Sequence, residues 1–391
     1  MIEAGTIQSA RPARVERPQT LQEYGEAVRR CSDGGEKIVD YGVAHQGLGH
    51  APLADHVRVE APSDTFEHWR ADLSVRAAGG MTIGELQRRL GETHQFLPVD
   101  ADEDMTVAEV IAHNVSGPLR LTHGTCRDLL LGLRYIDAMG TLITVGGRTV
   151  KNVAGYDVTR LMVGNLNTLG LIADANLRTA AIPQQVTRIE AVGIDPAGLD
   201  AAMTDLLTSD AAPWYMHFHG GILTTGYCGT PKGCEAQCTA FQRWLQDRKL
   251  DAASVHQIDA DLVGDTTARA ESRDWRRRVA GHLRLIVPPD QTGSVIKRIA
   301  EWKPIVEQVD ALPPHGVIDI GGQWSVDDAC RVDSQAGELL QSMESLRVWH
   351  RRPDDTHRLA PFAPPQSDWA MLNRIKQAMD PGNLFNPGRF P

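Results

Sequence analysis

Three Thr-x-x-Glu steps constrain this chain more than any other feature: Thr20 with Glu23, Thr82 with Glu85, and Thr106 with Glu109. Each stands ahead of apolar residues spaced for one face of a helix: Leu21, Tyr24, Ala27, Val28 and Cys31 after the first, Leu86 and Leu90 after the second, Val110 and Ile111 after the third. A threonine hydroxyl that accepts the third amide of a helix, answered by a glutamate that reaches back, satisfies two amides the helix cannot pair internally. Short apolar pieces at 37–39 and 56–59 lie between these starts and read as strands. Helices alternating with strands indicate an α/β lobe organisation.

Farther on, apolar runs at 131–138 and 141–145 meet at Met139-Gly140, which suits a hairpin, and a further strand pair is expected around 169–177. Beyond Pro183 the texture changes. Strands are expected at 189–192, 214–218, 283–287 and 316–320, and helices at 195–209, 234–248 and 368–379, the last ended by Pro381. The fold class expected is α+β, with domains at 1–180 and 181–375 and a closing segment at 376–391.

A chain of 391 residues exceeds what one core usually organises. Forty Lys and Arg against fifty Asp and Glu leave a net charge of −10, which argues against a nucleic-acid footprint. No apolar run reaches the roughly 20 residues of a membrane-spanning helix. The first ten residues lack the basic and apolar segments of a signal peptide, and the six cysteines are too scattered for a disulfide framework. The expected location is cytoplasmic.

Glycines beside Asn, Ser and Thr crowd residues 114–171 and allow backbone amides to approach a phosphate or a flat ring. Glycine-rich loops usually serve turns, so composition alone supports a nucleotide site weakly. The order Ser116-Gly117-Pro118, Gly124-Thr125-Cys126-Arg127-Asp128, Gly146-Gly147-Arg148-Thr149-Val150-Lys151-Asn152-Val153-Ala154-Gly155-Tyr156-Asp157 and Arg160-Leu161-Met162-Val163-Gly164, with Asn386-Pro387-Gly388-Arg389 at the end, resembles the FAD-binding glycolate oxidase subunits. These belong to the vanillyl-alcohol-oxidase, or PCMH-type, flavoprotein superfamily.

The resemblance implies a PCMH-type FAD-binding domain of two α/β lobes, with a second α/β cap domain for substrate. It implies non-covalent FAD, oxidation of a 2-hydroxy acid, a catalytic flavoprotein subunit and an iron–sulfur subunit as partners, and peripheral placement at the inner membrane through them. By position, Asn114, Ser116, Gly117, Gly124 and Arg127 would line the flavin and its ribityl chain. Ile172 would meet the adenine side through its backbone, and Asn386 and Arg389 would close over the ring edge; a terminal salt bridge is the competing role for Arg389. Of the family's phosphate loop only Gly42 stands in register within 38–49, where Asp40 adds a negative charge, and a second glycine pair is replaced by Ala108-Glu109. The alternative is therefore a flavin-free paralogue serving as a structural or assembly subunit.

No catalytic base is identified, since His315-Gly316 shares only two residues with the catalytic subunits' His-Gly-Asp-Gly-Asn. His217 and His219 share one face of a strand, yet no metal site is expected without a third ligand. Cys228, Cys234 and Cys238 match no ferredoxin spacing. The basic runs 276–278 and 350–352 read as solvated faces.

Overall fold

The computed structural model describes residues 12–39, 56–148, 158–249, 251–258, 279–352, 362–363 and 368–389. These form two compact units, one within residues 8–116, 123–181 and 365–391, the other within 117–122 and 182–364.

In the first unit, helix α1 (Leu21–Asp33) begins at the expected capping box. The Thr20 hydroxyl accepts the Glu23 amide at 3.2 Å, and the Glu23 carboxylate accepts the Thr20 amide at 3.3 Å. The helix buries Tyr24, Ala27, Val28 and Cys31 against a parallel sheet of β1 (Arg14–Glu16), β2 (Lys37–Ile38) and β3 (His56–Val59), in the order β1-β3-β2. Gly25 permits the close approach of the hairpin turn to this helix, because a methyl there would lie 2.5 Å from the Gly140 carbonyl oxygen.

The second lobe is a five-stranded antiparallel sheet, β4-β5-β9-β7-β8. It contains β4 (Phe66–Trp69), β5 (Ser74–Ala78), β7 (Leu130–Ile136), β8 (Leu142–Gly146) and β9 (Leu171–Arg178), while β6 (Gln95–Phe96) pairs separately with β10 (Ala180–Ala181). The hairpin expected around Gly140 is β7–β8. The strand pair expected around 169–177 is instead the single strand β9, flanked by β5 and β7. Its residues are buried on both faces as far as Ala175, with Asp174 paired to Arg76 and Arg134, which marks a central strand rather than a turn. Helices α2 (Ile83–Gly91) and α3 (Val107–Ala112) share its core. Thr106 and Glu109 complete their box. Thr82 accepts the Glu85 amide, but the Glu85 carboxylate pairs with Arg88 and Arg89, so only half of that box forms.

The helix Trp369–Met379 hands the chain back to this unit. Asp380 accepts the amides of Leu384 and Phe385 at 2.8 and 2.9 Å and pairs with Lys376. Lys376 also donates to the carbonyls of Thr168 and Phe385. Ile38 donates to the Leu384 carbonyl and accepts from the Asn386 amide, so Phe385 bridges onto β2 in parallel.

The second unit is one antiparallel sheet of nine strands in the order β14-β11-β13-β12-β16-β17-β15-β18-β19. They are β11 (Gln185–Val192), β12 (Tyr215–His219), β13 (Ile222–Gly229), β14 (Asp251–Ile258), β15 (Gly281–Ile286), β16 (Gln308–Leu312), β17 (Val317–Gly322), β18 (Leu346–Arg351) and β19 (Phe362–Ala363). Helices Pro196–Leu207, Pro231–Asp247, Thr292–Ile299 and Val326–Leu340 contribute to a core with Ile189, Phe218, Leu283, Ile318 and Trp349. Among the described residues no helix is long and apolar enough to cross a membrane.

Phe385 is fully buried, so Phe385→Ala is expected to cost ~3–5 kcal/mol in urea unfolding. Met371→Ala, at a side chain 61% exposed on the preceding helix, should stay within about 0.5 kcal/mol of the parent.

Candidate functional site

The end of α3 builds the site. His113 caps the helix by donating its backbone amide to the Glu109 carbonyl at 2.9 Å, and its ring Nδ1 lies 2.9 Å from the same oxygen. A carbonyl oxygen only accepts, so Nδ1 carries the proton and Nε2 is a bare acceptor. Nε2 is shielded from water and meets no donor among the described residues. Burial first, and then the charge of Arg389, push the ring pKa down to about 4, so the imidazole is neutral at pH 7.

Asn114 follows in a left-handed conformation at φ 49°, which asparagine tolerates better than most residues. A methyl at Gly164 would sit 3.6 Å from the Asn114 Cβ. Gly164 donates to the Ile111 carbonyl at 3.0 Å and Leu166 to the Ala112 carbonyl at 2.8 Å, so one loop satisfies the last two carbonyls of α3. The Asn386 side-chain amide donates to the Leu166 carbonyl at 2.7 Å, and the Arg389 amide donates to the Asn386 carbonyl. Asn386 and Arg389 are both buried.

Of the expected site residues, Asn114, Asn386 and Arg389 therefore converge on one corner, with His113 between them, a residue the sequence reading missed. Its one local signal is that it stands four residues after Glu109 and directly before Asn114. Ser116 lies half-buried two residues beyond Asn114, and Gly117 opens the short segment grouped with the second unit. Gly124 and Arg127 sit at the start of the helix Cys126–Leu129. Gly124 has φ 80°, and a methyl there would meet the Asp128 carboxylate at 2.6 Å, while Arg127 is exposed. Ile172 is buried within β9, and a methyl at Gly79 would come within 2.5 Å of its carbonyl oxygen. Gly42, with Asp40 and the rest of 40–49, lies outside the described residues, as does 151–157. Glu109, where the family has glycine, turns its carboxylate back to accept the Thr106 amide at 2.8 Å.

In the second unit, His217 Nε2 lies 2.5 Å and His219 Nδ1 3.1 Å from the same Asp310 oxygen, with the rings stacked 6.1 Å apart. The carboxylate thus meets both rings as a hydrogen-bond partner, and no group suited to a metal ion exists among the described residues. His282 and Arg284 pair with Asp319 in the same way. His350, expected on a solvated face, is buried within β18 and stacks on His282 at 4.8 Å. Burial lowers the Arg352 pKa, and Arg276, Arg277 and Arg278 lie outside the described residues. His315 ends a short turn ahead of β17 and has its pKa depressed to about 4 by burial and Arg120. The cysteines are all free, and burial raises the thiol pKa of Cys228, Cys234 and Cys238.

The donor set at the end of α3 suits a flavin nucleotide: an unmatched neutral acceptor, a left-handed Asn and a buried guanidinium within one corner. Residues 12–160 match the FAD binding domain family. The chain is 33% identical over 373 residues to the glycolate oxidase subunit GlcE of Escherichia coli, covering 95% of this chain and 96% of that one. It is 31% identical over 195 residues to the mitochondrial D-lactate dehydrogenase [cytochrome] of Arabidopsis thaliana, covering 49% of this chain and only 34% of that protein. Among solved structures, an alkyldihydroxyacetonephosphate synthase superposes with TM-score 0.67 at 13% identity over 95% of this chain and 76% of the other, a likeness of fold.

The neutral histidines make stability depend on pH. Between about 6.5 and about 4 the unfolded chain binds protons that folded His113 and His123 refuse, so their contribution makes stability fall as pH is lowered through that window. Urea midpoints measured at pH 7 and pH 5 should show the lower value at pH 5, and His113→Leu should flatten the difference.

Proposed function

Because the chain belongs to the GlcE-type family of FAD-binding glycolate oxidase subunits, we propose that it serves in a glycolate-oxidase-type complex that oxidises 2-hydroxy acids and passes electrons to an iron–sulfur subunit. It is an FAD-dependent oxidoreductase subunit, matching the FAD binding domain over 12–160. The observation that carries the reading is the match at 33% identity over 95% of this chain and 96% of that one. Bound FAD supplies a hydride acceptor for the carbon that bears the substrate hydroxyl.

The chain's own residues position and tune. Asn114, in its left-handed turn, presents backbone and amide at the exposed side of the α3 corner, and Ser116 adds a hydroxyl two residues on. Asn386 holds the loop at 164–166 against the end of α3. Arg389 brings a buried positive charge, which favours an anionic reduced ring at its edge and so raises the reduction potential. Gly124, Arg127 and Ile172 complete the proposed contacts along the cofactor, and Gly42 belongs to its phosphate loop.

Purified protein should be yellow, absorb near ~450 nm as bound flavin does, and release FAD on denaturation. A colourless preparation that takes up no added FAD would overturn this in favour of an assembly subunit. Purification from the native host is expected to bring a second flavoprotein and an iron–sulfur protein with it.

A further inference from the structure

His113 is half-buried at the end of α3, with its Nδ1–H committed to the Glu109 carbonyl and its Nε2 shielded and without a donor among the described residues. A shielded acceptor left bare is destabilising in the ligand-free fold, because the water it held when unfolded is not replaced. The surroundings fix its place firmly. Gly164 and Leu166 close the last turn of α3, Asn386 ties Leu166, and Asn114 turns away in the left-handed region, so the backbone that carries the ring is held on both sides. Desolvation first, and then the positive charge of Arg389, make protonating Nε2 unfavourable, so the nitrogen is kept as an acceptor and does not satisfy itself by taking up a proton.

We propose that His113 Nε2 accepts a hydrogen bond from an N–H or O–H group of the flavin nucleotide, making it a positioning residue that couples cofactor binding to the stability of the α3 corner. This rests on the FAD reading above. A residue of this kind has an unusual signature: removing the acceptor improves the empty protein and harms the loaded one. A histidine that merely supports the helix end would harm both.

The test compares His113→Leu, which keeps bulk without an acceptor, with His113→Gln, which restores one through its side-chain oxygen. FAD affinity is read by quenching of flavin fluorescence, and the Tm of flavin-free protein by calorimetry. Leu is expected to weaken FAD binding about ten-fold, equivalent to about 1.4 kcal/mol, while raising the flavin-free Tm by roughly 2–4 °C. Gln should recover most of the affinity. Parent-like affinity in the Leu variant overturns the inference and leaves the FAD reading intact. Weaker binding accompanied by a lower flavin-free Tm in both variants also overturns it, since that marks a structural histidine. Parent protein that binds no FAD overturns the cofactor reading itself and this inference with it.

Discussion

The Lys376–Asp380 pair is the constraint on which the first unit depends. The ammonium is largely withdrawn from water, which lowers its pKa, while Asp380 acts in the opposite sense. Its remaining protons go to the carbonyls of Thr168 and Phe385, and Asp380 uses its two oxygens on the amides of Leu384 and Phe385. One charge pair thereby joins the loop ahead of β9, the C-terminal helix and the terminal turn. Removing either partner from such a pair leaves an uncompensated buried charge, commonly costing ~3–5 kcal/mol. The loop it secures also closes the end of α3, so the position of Asn114 and His113 follows from this contact.

Local chemistry was legible where it closes within a few residues. Thr20 and Thr106 find their glutamates three positions on, and both boxes form. Thr82 shows the limit: Arg88 and Arg89, one turn along, capture the Glu85 carboxylate, a competition that a capping pattern does not contain. The extent of β9 was misread because burial on both faces depends on β5, β7 and their packing partners. Asn114, Asn386 and Arg389 were accessible through family likeness, but their convergence was not. His113 escaped because its significance lies in a missing donor, which only the assembled fold reveals. The partner of His217 and His219 escaped likewise, since Asp310 is 91 residues beyond His219.

The nine-stranded sheet divides its labour between faces. Ile189, Phe218, Leu283, Ile318 and Trp349 enter the core with the helices. Asp310 and Asp319 stand directly opposite each other on β16 and β17, and two such carboxylates would repel without their neighbours. His217 and His219 answer one, His282 and Arg284 the other. This polar row accounts for histidines that looked like ordinary strand positions.

The return of the terminal turn to β2 also governs when the first unit can be finished during synthesis. Lys37 and the Gly382 carbonyl it grips are separated by 345 residues. At ~5–20 residues per second a ribosome needs roughly 20–70 s to cover that distance. For that interval the segment that supplies the backbone partners of Ile38 has not yet been made, so the first unit closes only after synthesis of the whole second unit.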